Sequence, residues 1–167
     1  MKNDFDILIS AMWSSPTRMI NEKDVVSDEI VKKLIEQFGD FNYKDKTGRN
    51  LLMSAVIYQR PLIVEYLLNK GIDVNEKEKM EFTALHFAVQ EKNIETVKIL
   101  LKFGADINAK NKFGNTPLMM WDNSIPDELL KLLLDNGADL NVKNNFGVSA
   151  FDIWQVNRKE LLEEYNR

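Results

Sequence analysis

The sequence predicts an all-α solenoid: about five stacked helix-turn-helix units joined by β-hairpin-like turns. Three observations predict it. Gly71-Ile72-Asp73-Val74-Asn75 recurs as Gly104-Ala105-Asp106-Ile107-Asn108 and again as Gly137-Ala138-Asp139-Leu140-Asn141, each step being 33 residues. The leucine pairs Leu67-Leu68, Leu100-Leu101 and Leu133-Leu134 keep the same step. So do the turn positions Gly48, Glu81, Gly114 and Gly147. A fixed period of this size marks a repeat array, in which each unit is too small to bury its own apolar face.

The first unit needs its own argument. Leu8-Ile9-Ser10-Ala11-Met12 resembles Leu52-Met53-Ser54-Ala55-Val56, but at a spacing of 44, one period plus 11. Its second helix, near Glu29 to Gln37, is in register through Leu34-Ile35 and Asn42. The extra residues therefore fall between its two helices, within roughly Ser14 to Ser27, where Pro16, Asn21, Asp24 and Ser27 favour turns and caps. Asp4 and Asp6 suit the N-terminus of the first helix, and Trp13 packs in the core or under the loop.

In the later units Thr83 and Thr116 stand where an N-cap is needed, and Pro117 stands at the first helical position. Ile94, Val97, Leu100 and Leu101 give a second helix one apolar stripe. Gly71, Gly104 and Gly137 follow its last turn, where a left-handed residue ends a helix. After Trp154, the run to Tyr165 reads as a C-terminal capping helix with a polar outer side. The whole chain, 1–167, is then a single domain with units of about 1–44, 45–77, 78–110, 111–143 and 144–167.

Thr83-Ala84-Leu85-His86-Phe87-Ala88 nearly reproduces T-P-L-H-x-A, and Thr116-Pro117-Leu118 matches its first half. With the period of 33, the chain resembles the ankyrin repeat. The looser copies at Asn50 to Ala55 and Ser149 to Trp154 carry the resemblance from residue 45 to about 154.

Composition narrows the function. With no cysteine, no disulfide, zinc-thiolate site or thiol nucleophile can form, which suits a reducing, cytoplasmic setting. Acidic residues before Ile7 argue against a secretory leader, and no apolar run is long enough to span a membrane. A net charge of −4 disfavours nucleic acid. No phosphate loop, dinucleotide fingerprint or zinc-helix motif is present. His86 is the only histidine, so a histidine metal site lacks partners, and the resemblance gives it a structural hydrogen-bonding role. The expectation is a non-enzyme without catalytic residues, metal or cofactor.

The resemblance implies protein binding through the hairpin tips and the concave first-helix face. At the tips this selects Lys46 and Arg49, then Lys79, Met80 and Phe82, then Lys112 and Phe113, and finally Phe146. At the first-helix ends it selects Tyr58, Gln90, Glu91 and Asn123. Lys44, Lys77, Lys110 and Lys143 recur in register beside Lys46, Lys79 and Lys112. Stacked, they form either a binding ridge or ordinary solubilising charge, opposite an acidic face that includes Glu36, Glu65, Glu95 and Glu128. Glu81 replaces a turn glycine between Met80 and Phe82, which makes this tip either a specialised anchor or a product of drift. In the fourth unit Met119, Met120 and Trp121 replace H-x-A, and Pro126 enters near the second helix. Trp121 and Trp154 occupy matching positions, read as core filling.

The Lys-, Asn- and Ile-rich repeats resemble bacterial ankyrin proteins, some of which are similar to immunity proteins. One role this implies is a monomer that inhibits a cognate toxin or enzyme. The alternative is an effector or scaffold bridging several cellular proteins.

Overall fold

A computed structural model describes residues 27–120 and 125–165. The first helix expected from the sequence, Trp13 and the 14–27 insertion fall almost wholly outside the described residues, as do Trp121 and Asn123.

Helix α1, Asp28–Phe38, is the second helix of the first unit and buries Val31 and Ile35. It ends at Gly39, whose φ is 70° and whose N–H donates to the Ile35 carbonyl. The second unit pairs α2, Leu51–Ile57, with α3, Pro61–Asn69. The Asn50 side chain caps α2 by accepting from the Met53 N–H at 2.9 Å. The third unit pairs α4, Ala84–Gln90, with α5, Ile94–Lys102. The fourth has only a 3-10 turn, Pro117–Met119, followed by α6, Asp127–Asp135. The last element is α7, Ala150–Tyr165.

Like elements stack on like: α2 on α4, α4 on the 3-10 turn, α1 on α3 and α3 on α5. The apolar stripes therefore merge into one core running through Ile35, Leu51, Ile63, Leu67, Leu85, Leu100, Leu118, Leu133 and Trp154. No unit has a core of its own, so stability is shared between neighbours. The 33-residue register also builds a polar ladder. Asn75 donates to the Gly104 carbonyl at 3.1 Å and accepts from the Asp106 N–H at 2.7 Å. One step on, Asn108 does the same with Gly137 and Asp139. The recurring Asp-x-Asn is thus a device that joins units, since the aspartate also accepts from the N–H of the asparagine two residues on.

The fourth unit departs from the expected full first helix. The turn stops at Met119, and Met120 is extended (φ −65°, ψ 110°). Two local features accompany this. Met119 takes the register of His86, so Thr116 lacks the imidazole that engages Thr83, and its hydroxyl is buried without a partner among the described residues. The truncated turn also leaves the Leu118 carbonyl without the donor that a longer helix supplies. The fully buried Trp154 indole donates to it at 3.1 Å. Arg158 lies 4.9 Å from the Trp154 ring centroid, donates to the Ile125 carbonyl at 2.5 Å and pairs with Asp127 at 2.8 Å. The last unit thereby props up the shortened one. The capping helix expected after Trp154 is continuous with the preceding helix as α7, with a kink at Arg158 (φ −141°), and the Tyr165 hydroxyl closes it onto Asp135.

Candidate partner-binding surface

The tips are rigid because one side chain organises each. Asp45, Glu78, Asn111 and Asn144 lie 33 residues apart. Each directs one oxygen at the N–H groups two and four residues on, as in Thr47 and Arg49 on Asp45 or Phe113 and Asn115 on Asn111. Glu78 does this for Met80 and Phe82, and Asn144 for Phe146 and Val148. Neighbouring tips are then tied backbone to backbone. The N–H of Lys79 donates to the Thr47 carbonyl, that of Lys112 to Met80 and that of Asn145 to Phe113, each at 3.0 Å. The sequence reading missed this organising position, because its residue type changes while its acceptor oxygen does not.

The lysines separate into two rows. In the inner row the Lys77 ammonium donates to the Lys110 carbonyl at 2.8 Å, and Lys110 to the Lys143 carbonyl at 3.1 Å. Lys44 pairs with Glu76 at 2.5 Å, and Lys77 also lies 3.5 Å from Glu81. The outer row, Lys46, Lys79 and Lys112, is exposed and makes no ion pair among the described residues. The acidic face is partly neutralised, because carboxylates on the second helices meet lysines of the next unit. Glu36 pairs with Lys70 at 2.6 Å and Glu65 with Lys102 at 3.2 Å. The hydrogen bond from Lys70 holds the Glu36 carboxyl below its usual range.

Apolar side chains are exposed at the starts of the second helices, at Ile30 and Leu62, and in a row at the tips. Met80 is 41% exposed, Phe113 42% and Phe146 74%, and the three share one register. Phe82 is instead half-buried, with its ring 5.7 Å from Phe87 in a stacked contact and 5.5 Å from His86 edge-on. Its side chain therefore already packs within its own unit. Arg49 is held by Asp45 and Thr47. At the first-helix ends, Gln90 is exposed, and Glu91 is reached by Gln59 of the preceding unit at 3.4 Å. Tyr58 is half-buried against the core.

Among the described residues three non-glycine residues are left-handed: Gln59 (φ 54°), Glu81 (φ 63°) and Lys92 (φ 55°). Glu81 lies at a tip, and Gln59 and Lys92 lie between paired helices. Glu81 was legible from the glycines in its register. Gln59 and Lys92 were not, because no described unit carries glycine there. At Glu81 the conformation costs on the order of 1 kcal/mol, partly offset by glycine's greater unfolded-state entropy. Glu81→Gly is expected to raise stability by roughly 0.5 kcal/mol or more in urea unfolding. A clear loss of stability would show that the tip carries no such strain.

His86 lies beneath the tip and is fully buried. Its Nδ1 accepts from the Thr83 N–H at 3.1 Å and lies 2.9 Å from the Thr83 hydroxyl, while Nε2 faces the Asn115 carbonyl at 3.1 Å. This fits the tautomer with the proton on Nε2. Burial pushes its pKa down to about 4. Nδ1 is engaged by Thr83 of its own unit and Nε2 by Asn115 of the next, so neither nitrogen is available to a substrate. Among the described residues no group of His, Asp and Glu side chains is arranged to hold a metal ion. None of the described helices is long and apolar enough to cross a membrane.

The family model for ankyrin repeats matches residues 23–111 and 76–144, with three copies. No curated protein matches the chain closely enough to count as a relative.

Proposed function

Because the chain belongs to the ankyrin-repeat family, a family of protein-interaction modules, we propose that it binds a partner protein through its hairpin tips and first-helix ends, without catalysis and as a monomer when free. The observation that carries this is the rigid display at the tips. Their backbone is satisfied by the ladder from Thr47 to Asn145, while Lys46, Lys79, Met80, Lys112, Phe113 and Phe146 remain exposed. A surface ordered before binding loses little conformational entropy on association.

Affinity purification with mass spectrometry from the native organism tests the reading, followed by lysine labelling of the complex. Protection of Lys46, Lys79 and Lys112 is expected, with Lys98 and Lys131 on the second helices still labelled. Protection confined to the second helices would overturn the assignment of the surface. The specific role we favour is inhibition of one cytoplasmic partner, as an immunity protein restrains its toxin. It is supported by the resemblance of these Lys-, Asn- and Ile-rich repeats to bacterial arrays. Co-expression with a toxin encoded by a neighbouring gene should then restore growth. Recovery of several unrelated partners, with no such rescue, would favour a scaffold.

A further inference from the structure

We propose that the outer edge of the tips takes an extended, acidic segment of the partner protein, whose apolar side chains seat on Met80, Phe113 and Phe146. This rests on the partner-binding reading above and adds the partner's chemistry.

Two registers define the edge. One runs Thr47, Met80, Phe113, Phe146, polar in the second unit and apolar in the next three. The adjacent one runs Lys46, Lys79, Lys112, Asn145, cationic until the last unit. These lysines differ from the inner row. Lys77 and Lys110 are occupied by the carbonyls of the next unit and Lys44 by Glu76, whereas the outer three ammonium groups, together with Lys143 at the end of the inner row, face solvent without a carboxylate partner among the described residues. The apolar row is accessible for a similar reason. Its backbone is consumed by the ladder, and its side chains project past it, with Phe146 74% exposed. A line of unpaired cations beside a line of apolar groups is complementary to a chain that alternates carboxylates with apolar side chains.

Spacing favours an extended ligand. Stacked helices lie roughly 8–10 Å apart, which sets the interval between tips. A polyproline II segment rises about 3.1 Å per residue with three residues per turn, so every third side chain returns to one face about 9 Å further on. A β-strand presents one face every second residue, about 7 Å apart, and drifts out of step. Other occupants fit less well. A second copy would offer its second-helix carboxylates, but Glu36 and Glu65 are already held by Lys70 and Lys102 and Glu128 lies 4.0 Å from Lys98, which leaves Glu95 as the unpaired member of that set. An anionic membrane would attract three lysines but repel a chain of net charge −4.

The test uses the full chain and a fluorescein-labelled peptide of four Leu-Glu-Pro triplets, read by fluorescence anisotropy, with a Leu-Lys-Pro peptide as control. Binding of the acidic peptide alone is expected, weakening with salt. The double variant Lys79→Glu, Lys112→Glu should weaken it about tenfold or more. Phe146→Ser, at the most exposed of the apolar positions, should weaken it by about fivefold without shifting the thermal midpoint. Equal binding of the two peptides, or variants that bind like the parent, would overturn the proposal. So would binding to phosphatidylserine vesicles in place of the peptide, or a concentration-dependent dimer abolished by the same substitutions. If a native partner protects the tip lysines while these variants keep full affinity for the peptide, the binding reading stands and this one falls.

Discussion

Replacing Trp154 with alanine is expected to cost about 3–5 kcal/mol and to unfold the last two units first. The side chain is 1% exposed and is the largest of the fully buried ones among the described residues. Its register holds Ala55 and Ala88 in the second and third units, both buried where first helices meet. In the last unit the neighbour is a 3-10 turn rather than a helix, and the indole occupies the space beside it. Deleting the indole removes that volume, the donor to the Leu118 carbonyl and the ring over which Arg158 lies. Trp154→Phe separates these effects. It keeps most of the volume and loses the N–H, so about 1–3 kcal/mol is expected from the unpaired carbonyl. Urea unfolding with native-state hydrogen exchange checks both. The alanine variant should lose protection in α6 and α7 while α2 to α5 keep theirs, because units in a solenoid depend mainly on neighbours. A cost below about 1 kcal/mol for Trp154→Ala would show that the indole is not what supports the fourth unit.

That example shows where the sequence was sufficient and where it was not. The period, the leucine pairs and the cap at Thr83 place nearly every described element, because each is a local preference repeated in register; Thr116 takes the N-cap position without making the cap hydrogen bond. Trp154 was read as core filling, which it is. Its second role, supplying a donor to the fourth unit, depends on how far the helix after Thr116 extends. The shortening goes with the missing imidazole at Met119, and an indole from the next unit is close enough to serve the Leu118 carbonyl.

The candidate surface was legible in part for the same reason. Lysines recurring at one register were visible as letters. Their division into an occupied inner row and a free outer row was not, because the acceptors of Lys77 and Lys110 are backbone carbonyls one period away. Nor could the sequence tell exposed Met80 from half-buried Phe82, two residues apart in one turn. The organising row Asp45, Glu78, Asn111, Asn144 shares an acceptor oxygen rather than a residue type, so a search for repeated letters passes over it.

Acidification from pH 7.5 to pH 5 is expected to remove about 2 kcal/mol of stability through His86 alone. Its folded pKa is lowered to about 4 from an ordinary 6.5, chiefly by burial. Between those values the unfolded chain binds a proton that the folded chain refuses, so stability is fully present above pH 6.5 and falls as the pH drops toward 4. Below the folded pKa the loss levels off at on the order of 3 kcal/mol. The window identifies the group. His86 is the only histidine in the chain. The carboxyls of Glu36, Asp45, Glu76 and Asp152 are shifted down, so their contribution persists above their ordinary values of 4.5 or 3.8 and is lost only as pH falls below these. Urea midpoints measured every half unit from pH 7.5 to 5 should therefore stay nearly level at first and fall increasingly once the pH passes 6.5, whereas His86→Gln, less stable at neutral pH, should be flat over the same range. An equal slope in the variant would assign the proton elsewhere. The cost has a structural counterpart: one buried neutral ring joins the Thr83 cap of one unit to the Asn115 carbonyl of the next, and a proton on Nδ1 removes the acceptor for the Thr83 N–H.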